Sequence, residues 1–235
     1  MVLGLIRWYH SDNSENRKYI PQFLGRGDNR MIAIIDYDAG NLRSVEKALV
    51  SLGASRVVTR DAQEILEADH VILPGVGAFG DAMEKLRSYG LETVIKEVAA
   101  NGTPLLGICL GLQLLFESSE ESPGVKGLGI LKGKILRLPD QEGYKIPHMG
   151  WNSLHYDHPG KLFRGIPEDS YVYFVHSYYL SAQDPEIVTA SAEYTAHIHA
   201  SVEQGNVFAC QFHPEKSSDT GLAILKNFIG LAKEG

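Results

Sequence analysis

From residue 31 onward, short apolar runs alternate with segments in which apolar residues recur every three or four positions. Residues 31–36 predict a buried strand, and residues 41–52 follow with the spacing of an amphipathic helix. The same alternation predicts strands at 56–59, 70–73 and 104–108, with helical segments beginning at Asp61 and covering 81–100. Strands that alternate with helices favour parallel pairing and right-handed crossovers. The fold class is therefore predicted to be α/β, a doubly wound, mostly parallel sheet with helices on both faces.

The second half of the chain has a different pattern. Short runs rich in β-branched and aromatic residues are joined by turns, and Gln204-Gly205-Asn206 has the composition of a hairpin connection. The predicted strands are 129–138, 152–156, 171–180, 187–193, 197–202 and 207–213, and a last amphipathic helix covers 220–232. A region of antiparallel strands is therefore expected beside the parallel sheet.

The first 30 residues lack this periodicity. Residues 11–19 are polar and charged, residues 25–30 are rich in Gly, Asn and Arg, and Met31 directly precedes the first strand. Residues 1–30 are interpreted as an N-terminal extension of unknown role or a misassigned start, poorly packed on the main fold. Residues 31–235 are predicted to form a single domain.

Composition excludes several classes of function. A net charge of −7 gives no electrostatic reason to expect nucleic acid or an anionic membrane as partner. Two cysteines, Cys109 and Cys210, are too few for a disulfide framework or a clustered-cysteine metal site. No apolar stretch approaches the length of a membrane span, and no convincing signal peptide begins the chain. These features predict a cytoplasmic protein that needs neither a metal nor a cofactor.

Cys109 lies where an apolar strand runs directly into a helical pattern. Gly107 and Gly111 flank it, so the segment has the G-x-C-x-G form of a nucleophile elbow, which exposes the reactive atom above the sheet. The N-terminus of the helix that follows would favour the thiolate. A lone cysteine is often a small buried hydrophobic residue, and this alternative stays open on the segment alone.

A thiol nucleophile needs a base and a group that orients the base. His213 and Glu215 supply both directly after an apolar strand, and Pro214 between them ends the strand. We interpret His213 as the partner of Cys109 and Glu215 as the group that orients the imidazole. Cys210 lies in the preceding strand without a turn or helix start to activate it, so it is interpreted as core.

An oxyanion formed by thiolate attack needs fixed N–H donors. Leu110 follows the nucleophile at a helix start, and the loop Pro74-Gly75-Val76-Gly77 follows a buried strand, where α/β sites form. A phosphate-binding loop is the competing interpretation, but the motif lacks the Gly-Lys-Ser/Thr ending. Among the other histidines, the His197 and His199 pair favours an exposed strand face over a metal site. The remaining candidates, His148, His155 and His158, suggest no cluster.

These motifs resemble a known family. The segment 107–113 (Gly-Ile-Cys-Leu-Gly-Leu-Gln) with His-Pro-Glu at 213–215 resembles the class I glutamine amidotransferases, which hydrolyse glutamine to glutamate and ammonia. Three further segments resemble the glutaminase subunits of imidazole glycerol phosphate synthase, in histidine biosynthesis. These segments are 74–79 (Pro-Gly-Val-Gly-Ala-Phe), 148–152 (His-Met-Gly-Trp-Asn) and 175–179 (Val-His-Ser-Tyr-Tyr). The resemblance covers the chain from Met31 to its end.

The resemblance implies roles for matching positions. Cys109 would form a γ-glutamyl thioester, with His213 and Glu215 completing the triad. The implied oxyanion-hole residues are Val76, Gly77 and Leu110. The implied substrate-binding residues are Gly75, Gln113, Glu121, Ser177 and Tyr178. The implied contacts with a protein partner are Asn41, Trp151, Tyr173 and Lys216.

The implied partner is the (β/α)8 cyclase subunit, which would receive ammonia through its barrel and use it on a phosphorylated ribulosyl intermediate. Because the chain ends at Gly235 without a barrel, the cyclase is expected to be a separate subunit of a heterodimer. The resemblance also implies low activity until the cyclase binds its ligand. One physical route is a peptide flip within 75–77, which neighbouring glycines make easy.

Three other interpretations remain at this level. A different class I glutaminase, serving pyridoxal phosphate, anthranilate or guanylate synthesis, would share the triad and differ in the 148–152 and 175–179 segments. A cysteine peptidase or deglycase on the same fold would place its histidine directly beside the elbow cysteine, where this chain has Leu110. A non-enzymatic regulatory subunit would have no use for a complete Cys, His and Glu set.

Overall fold

The computed structural model describes residues 30–156 and 158–233, so the predicted extension before Arg30 lies outside the described residues. The helices, in chain order, are α1 (Leu42–Ser51), α2 (Ala62–Glu67), α3 (Phe79–Ser88), α4 (Leu91–Ala100), α5 (Leu110–Leu114) and α6 (Ser218–Ile229). The strands are β1 (Met31–Ile35), β2 (Ser55–Thr59), β3 (His70–Leu73), β4 (Leu105–Ile108), β5 (Ser118–Ser119), β6 (Gly133–Arg137), β7 (His148–Ser153), β8 (Tyr171–His176), β9 (Tyr178–Ala182), β10 (Val188–Glu193), β11 (His197–Gln204) and β12 (Val207–Cys210).

Seven of these strands form one central sheet in the order β10-β11-β12-β4-β3-β1-β2. The five from β12 to β2 are parallel, whereas β10 and β11 continue the sheet antiparallel. The remaining strands form a three-stranded sheet, β5-β6-β9, and a two-stranded sheet, β7-β8. The doubly wound, mostly parallel α/β architecture with added antiparallel strands is confirmed.

Alternation along each central strand produces two cores, one on each face of the sheet. In β1, Ile32 and Ile34 are buried on one face, and Ala33 and Ile35 on the other. Successive side chains of a strand point to opposite faces, so a strand covered by helices on both sides must be apolar at every position. This explains why the predicted parallel strands read as continuous apolar runs.

The small sheets correct one predicted strand. The run 171–180 was expected as a single strand, but it divides at Ser177 into β8, which pairs with β7, and β9, which pairs with β6. The amide of Leu138 donates to the carbonyl of Ser177 at 2.9 Å, where the chain crosses from one sheet to the other. Apolar alternation continues through the crossing, so the sequence pattern carries no sign of it.

Parallel order brings the carboxyl ends of β3, β4 and β12 to one edge of the sheet. Gly107 of β4 pairs with Leu73 of β3 on one side and with Ala209 of β12 on the other. The loop after β3, the cysteine after β4 and the His-Pro-Glu segment after β12 therefore meet at this edge. None of the helices in the described part of the chain is long and apolar enough to cross a membrane.

Candidate active site

Cys109 stands between β4 and α5 in a conformation that few residues adopt. Its φ of 55° and ψ of −107° lie outside the helix and strand regions, so the backbone strain of the elbow falls on the cysteine itself. Its amide donates to the carbonyl of Cys210 at 2.8 Å, which ties the elbow to the neighbouring strand β12. The predicted strand-to-helix turn is confirmed.

The flanking glycines act through close packing. A Cβ on Gly111 would lie 1.8 Å from the carbonyl oxygen of Leu73, and a Cβ on Gly107 would lie 2.8 Å from the carbonyl oxygen of Gly111. Neither glycine has a positive φ. The absence of a Cβ at these two positions therefore allows α5 to approach β3 and β4 closely.

His213 and Glu215 form a fully buried pair next to the elbow. Nδ1 of His213 lies 2.7 Å from Oε1 of Glu215, and both side chains have no solvent exposure. The side-chain amide of Asn41 also donates to Oε1 of Glu215, at 2.6 Å. With Nδ1 facing Glu215, Nε2 is the ring nitrogen left for Cys109, and it makes no ordinary hydrogen bond with the described residues.

The environment of His213 favours its protonated form. Burial lowers the pKa of His213, but interactions with Cys109 and Glu215 outweigh burial and raise the pKa to about 9. An imidazolium at neutral pH can give its proton to a leaving group, which is the role that the triad requires.

The glutamate's contribution can be tested through pH. Cys109 and Glu215 both raise the pKa of His213, and burial lowers it. Glu215→Gln removes the contribution of the glutamate, so the pKa of His213 should fall. The imidazolium would then be lost at lower pH, and the alkaline decline of glutaminase kcat should begin about one pH unit earlier. The measurement is kcat against pH. Glu193→Gln is the matched control, because Glu193 pairs with His197 on the surface; an unshifted Glu215→Gln profile would contradict the role.

A residue that sequence analysis missed contacts the sulfur of Cys109. Nε2 of Gln211 lies 3.7 Å from Sγ, and Sγ lies 3.9 Å from the carbonyl oxygen of Val175. Gln211 also accepts a hydrogen bond from Nε2 of Gln113 at 3.1 Å. The available signal was a polar residue within the predicted apolar strand 207–213, two positions before His213, the spacing of one strand face.

A pocket of about 340 Å³ opens at the elbow. Most of the residues predicted for the oxyanion hole and the substrate lie in its wall, which consists of Val76, Gly77, Cys109, Leu110, Gln113, Glu121, Pro147, Val175, His176, Ser177 and Tyr178. The carboxylate of Glu121 is held there by the amide of Phe79, which donates to Oε2 at 2.8 Å. The tertiary structure thus brings the predicted site residues together.

One of the predicted oxyanion donors is already hydrogen-bonded to the loop after β3. The amide of Leu110 donates to the carbonyl oxygen of Gly75 at 3.3 Å, so that N–H is already engaged. Gly77 has a φ of 108°, which side chains disfavour, and the hydroxyl of Tyr37 donates to the carbonyl of Pro74 at 2.8 Å. In this conformation the loop offers a carbonyl where an oxyanion hole needs an N–H.

The sequence pattern of the glutamine amidotransferase class I family matches residues 33–231. The chain belongs to this family. This amidotransferase is 57% identical over 204 residues to "Imidazole glycerol phosphate synthase subunit HisH" of Moorella thermoacetica, covering 87% of this chain and 96% of that one. It is 52% identical over 206 residues to the protein of the same name from Geobacillus kaustophilus, covering 86% and 97%. The predicted family and subfamily are confirmed, and the other glutaminases and the peptidase are not favoured.

Solved structures show the same fold. The amidotransferase superposes on PurLQS from Thermotoga maritima with a TM-score of 0.65 at 21% identity, covering 86% of this chain and 98% of that one. A crystal structure of a glutamine amidotransferase gives a TM-score of 0.64 at 23% identity, covering 85% and 99%. At these identities the likeness concerns the fold alone.

The four residues expected at the partner interface of this amidotransferase lie on the side of the His213–Glu215 pair. Asn41 contacts Glu215, and the carbonyl of Tyr173 accepts from the amide of His213 at 2.9 Å. The ring of Trp151, about half exposed, meets that of Tyr173 edge-on, with centroids 6.1 Å apart. Lys216 is exposed beside Glu215. Their role in binding a partner stays a prediction.

The other thiol, that of Cys210, belongs to the hydrophobic core. Cys210 is fully buried, and burial raises the pKa of its thiol well above the ordinary value.

The expectation that His148 joins no cluster is wrong, because its Nδ1 lies 3.0 Å from Nε2 of His176 and its ring stacks on Tyr194. Burial lowers the pKa of His148 to about 4 and that of His176 to about 3, so both are neutral. Within the described ranges, no group of three or more His, Cys, Asp or Glu side chains could hold a metal ion.

Proposed function

We propose that the chain is the glutaminase subunit of imidazole glycerol phosphate synthase. It hydrolyses glutamine to glutamate and ammonia through a thioester on Cys109 and passes the ammonia to a separate (β/α)8 cyclase. The cyclase would use the ammonia to make imidazole glycerol phosphate and an aminoimidazole carboxamide ribotide. The observation that carries the proposal is the pocket at the strained Cys109 elbow, together with the buried His213–Glu215 pair whose imidazole interacts with Cys109.

The first half of the reaction acylates the enzyme. The thiolate of Cys109 attacks the side-chain amide carbon of glutamine, and the carbonyl oxygen takes up the negative charge. His213 gives its proton to the departing nitrogen, the C–N bond breaks, and ammonia leaves a γ-glutamyl thioester behind. Glu215 keeps the imidazole oriented and stabilises its positive charge throughout.

The second half releases glutamate. His213, now neutral, takes a proton from water as the water oxygen attacks the thioester carbon. The C–S bond breaks, glutamate departs, and the sulfur leaves as a thiolate next to the imidazolium. The resting pair is thereby restored without any external reductant, oxidant or metal.

Gln113 and Glu121 are suited to hold the substrate. Both N–H groups of the Gln113 amide are engaged, one by the carbonyl of Tyr178 at 3.0 Å and one by Gln211 at 3.1 Å. None of the described residues donates to its Oε1, and Gln113 lines the pocket, so this oxygen is left as an acceptor for a ligand. We assign this oxygen and the Glu121 carboxylate to the α-ammonium group of glutamine.

The loop conformation supports a resting state of low activity. While the Gly75 carbonyl accepts from Leu110, that N–H cannot stabilise an oxyanion. A peptide flip at Val76 would remove the carbonyl and present an N–H to the same place. We propose that the cyclase and its ligand bind next to the loop and that their binding supplies the free energy for the flip.

Reconstitution with the cyclase tests the proposal. Glutamate release should be slow for the chain alone and rise by about a hundredfold or more in the complex with the ligand-bound cyclase, as expected when an oxyanion donor is restored. The measurement is glutamate formation by the chain, the complex and the complex with ligand, with the cyclase alone as control. Equal turnover by the isolated chain and the liganded complex would refute the loop mechanism, and failure to form a complex would refute the partner.

A further inference from the structure

We propose that Gln211 is a further catalytic residue, whose side-chain amide donates to the sulfur of Cys109 and favours the thiolate. It also links the nucleophile to the substrate-binding residue Gln113. This inference rests on the proposed function only in taking Cys109 as the nucleophile. It adds a donor that neither the triad nor the oxyanion hole supplies.

The carbonyl of Tyr178 determines which atoms donate and which accept in the hydrogen bonds between Gln113, Gln211 and Cys109. The carbonyl oxygen of Tyr178 can only accept, so the amide nitrogen of Gln113 must face it, at 3.0 Å. That nitrogen also lies 3.1 Å from Gln211, which must therefore present its oxygen to Gln113. The nitrogen of Gln211 is then left to face Sγ of Cys109, at 3.7 Å. Reversing the Gln113 amide would bring two acceptors together, and reversing the Gln211 amide would bring two donors together.

The burial of Gln211 indicates that its polarity serves a purpose. The side chain has no solvent exposure and lies after β12, whose four residues are all buried and apolar. Burying an amide among apolar residues costs free energy unless each group finds a partner. Apolar Phe212 beside it shows that this part of the sheet accepts hydrophobic side chains. The amide is thus retained where it reaches the sulfur.

The surroundings of the sulfur explain what the amide does. In the thiol form, the sulfur can donate to the carbonyl oxygen of Val175, 3.9 Å away. Once His213 has taken the proton, that carbonyl dipole opposes the negative sulfur, whereas the Gln211 N–H supports it. The same donor stabilises the sulfur when it leaves the thioester. No bond to Gln211 forms or breaks in either step.

Alkylation of the full-length chain tests this without the partner. Gln211→Glu keeps the shape and the acceptor for Gln113 but replaces the donor by a carboxylate, and Gln211→Met removes both groups at similar volume. For both variants, iodoacetamide should label Cys109 about tenfold more slowly at pH 7, the loss expected for a hydrogen bond to a charged group. The pH of half-maximal labelling should move upward. Peptide mass spectrometry locates the label.

Ser201→Ala is the matched control. Ser201 is also fully buried, in the adjacent strand, and donates to the carbonyl of Ala209 at 2.8 Å, away from Cys109. This variant loses a buried hydrogen bond and should keep the wild-type labelling rate and pH midpoint. Thermal unfolding of all variants shows which of them are folded, and Gln211→Glu remains informative if Gln211→Met is not.

The complex with the cyclase supplies the second measurement. Glutaminase kcat of the Gln211 variants should fall about tenfold to a hundredfold, together with the change in labelling. Wild-type labelling and kcat in folded Gln211→Glu would overturn the inference while the proposed function stands. If the Cys109→Ala complex still released glutamate, the proposed function would fail first, whatever the Gln211 variants did.

Discussion

Replacing Cys109 with alanine is expected to abolish glutamine hydrolysis by the complex, with a loss of at least about 10⁴-fold in kcat. The reason is that the thioester cannot form, and neither His213 nor the oxyanion donors can act on glutamine without a nucleophile. The measurement is glutamate release at saturating glutamine. Addition of free ammonia should restore the cyclase reaction, because the defect lies in ammonia supply.

Cys210→Ala is the matched control for this experiment. Cys210 is the other cysteine of the chain and lies beside the elbow, but it is fully buried and burial raises the pKa of its thiol. Its loss should leave kcat within a few-fold of wild type. Glutamate release by the Cys109→Ala complex at a rate near wild type, or loss of activity confined to Cys210→Ala, would show that the nucleophile is misassigned.

Gly111→Ala is expected to destabilise the protein by about 3 kcal/mol, since the added Cβ would overlap the carbonyl oxygen of Leu73. For a chain of this length, that loss lowers Tm by roughly 6–12 °C. Intrinsic helix propensity acts in the opposite direction, because alanine is favoured over glycine within a helix by about 1 kcal/mol. A lower Tm for Gly111→Ala would therefore come from the steric overlap, because helix propensity alone would raise the stability. Displacement of α5 should also reduce kcat, since Leu110 moves with it.

Gly230→Ala is the matched control for the glycine prediction. A Cβ there would meet the carbonyl oxygens of Asn227 and Lys226 at 3.4 and 3.5 Å, which is ordinary contact, and its φ of −72° suits alanine. Its free energy of unfolding should stay within about 0.5 kcal/mol of wild type. If thermal unfolding of Gly111→Ala matched that of Gly230→Ala, the close approach of α5 to β3 would not constrain the elbow.

The core of the candidate site could be predicted because its motifs are local. The elbow is contained in 107–111 and the acid–base pair in 213–215, and each depends on a turn that follows directly from a buried strand. The oxyanion loop has the same property, since it follows β3. Apolar runs place strand ends, and parallel strands bring those ends to one edge. The family's motifs then supplied the reaction.

Contacts between distant segments could not be predicted in the same way. Asn41 reaches Glu215 across 174 positions, and Gln211 reaches Cys109 across 102. The contact of Gln211 depends on the lateral order of strands, which places β12 beside β4, and the contact of Asn41 depends on the loop that follows β1. The division of 171–180 at Ser177 and the stacking of His148 belong to the same class.

The sequence by itself thus determined the fold class, the nucleophile elbow and the His-Pro-Glu segment, because hydrophobic periodicity and short turn motifs act over a few residues. Only the tertiary structure decided that the carbonyl of Gly75 accepts a hydrogen bond from the amide of Leu110, and that the side-chain amide of Gln211 reaches the sulfur of Cys109. These contacts arise between loops and strands that are far apart along the chain. Their distances are set by sheet order and close packing, which local patterns do not encode.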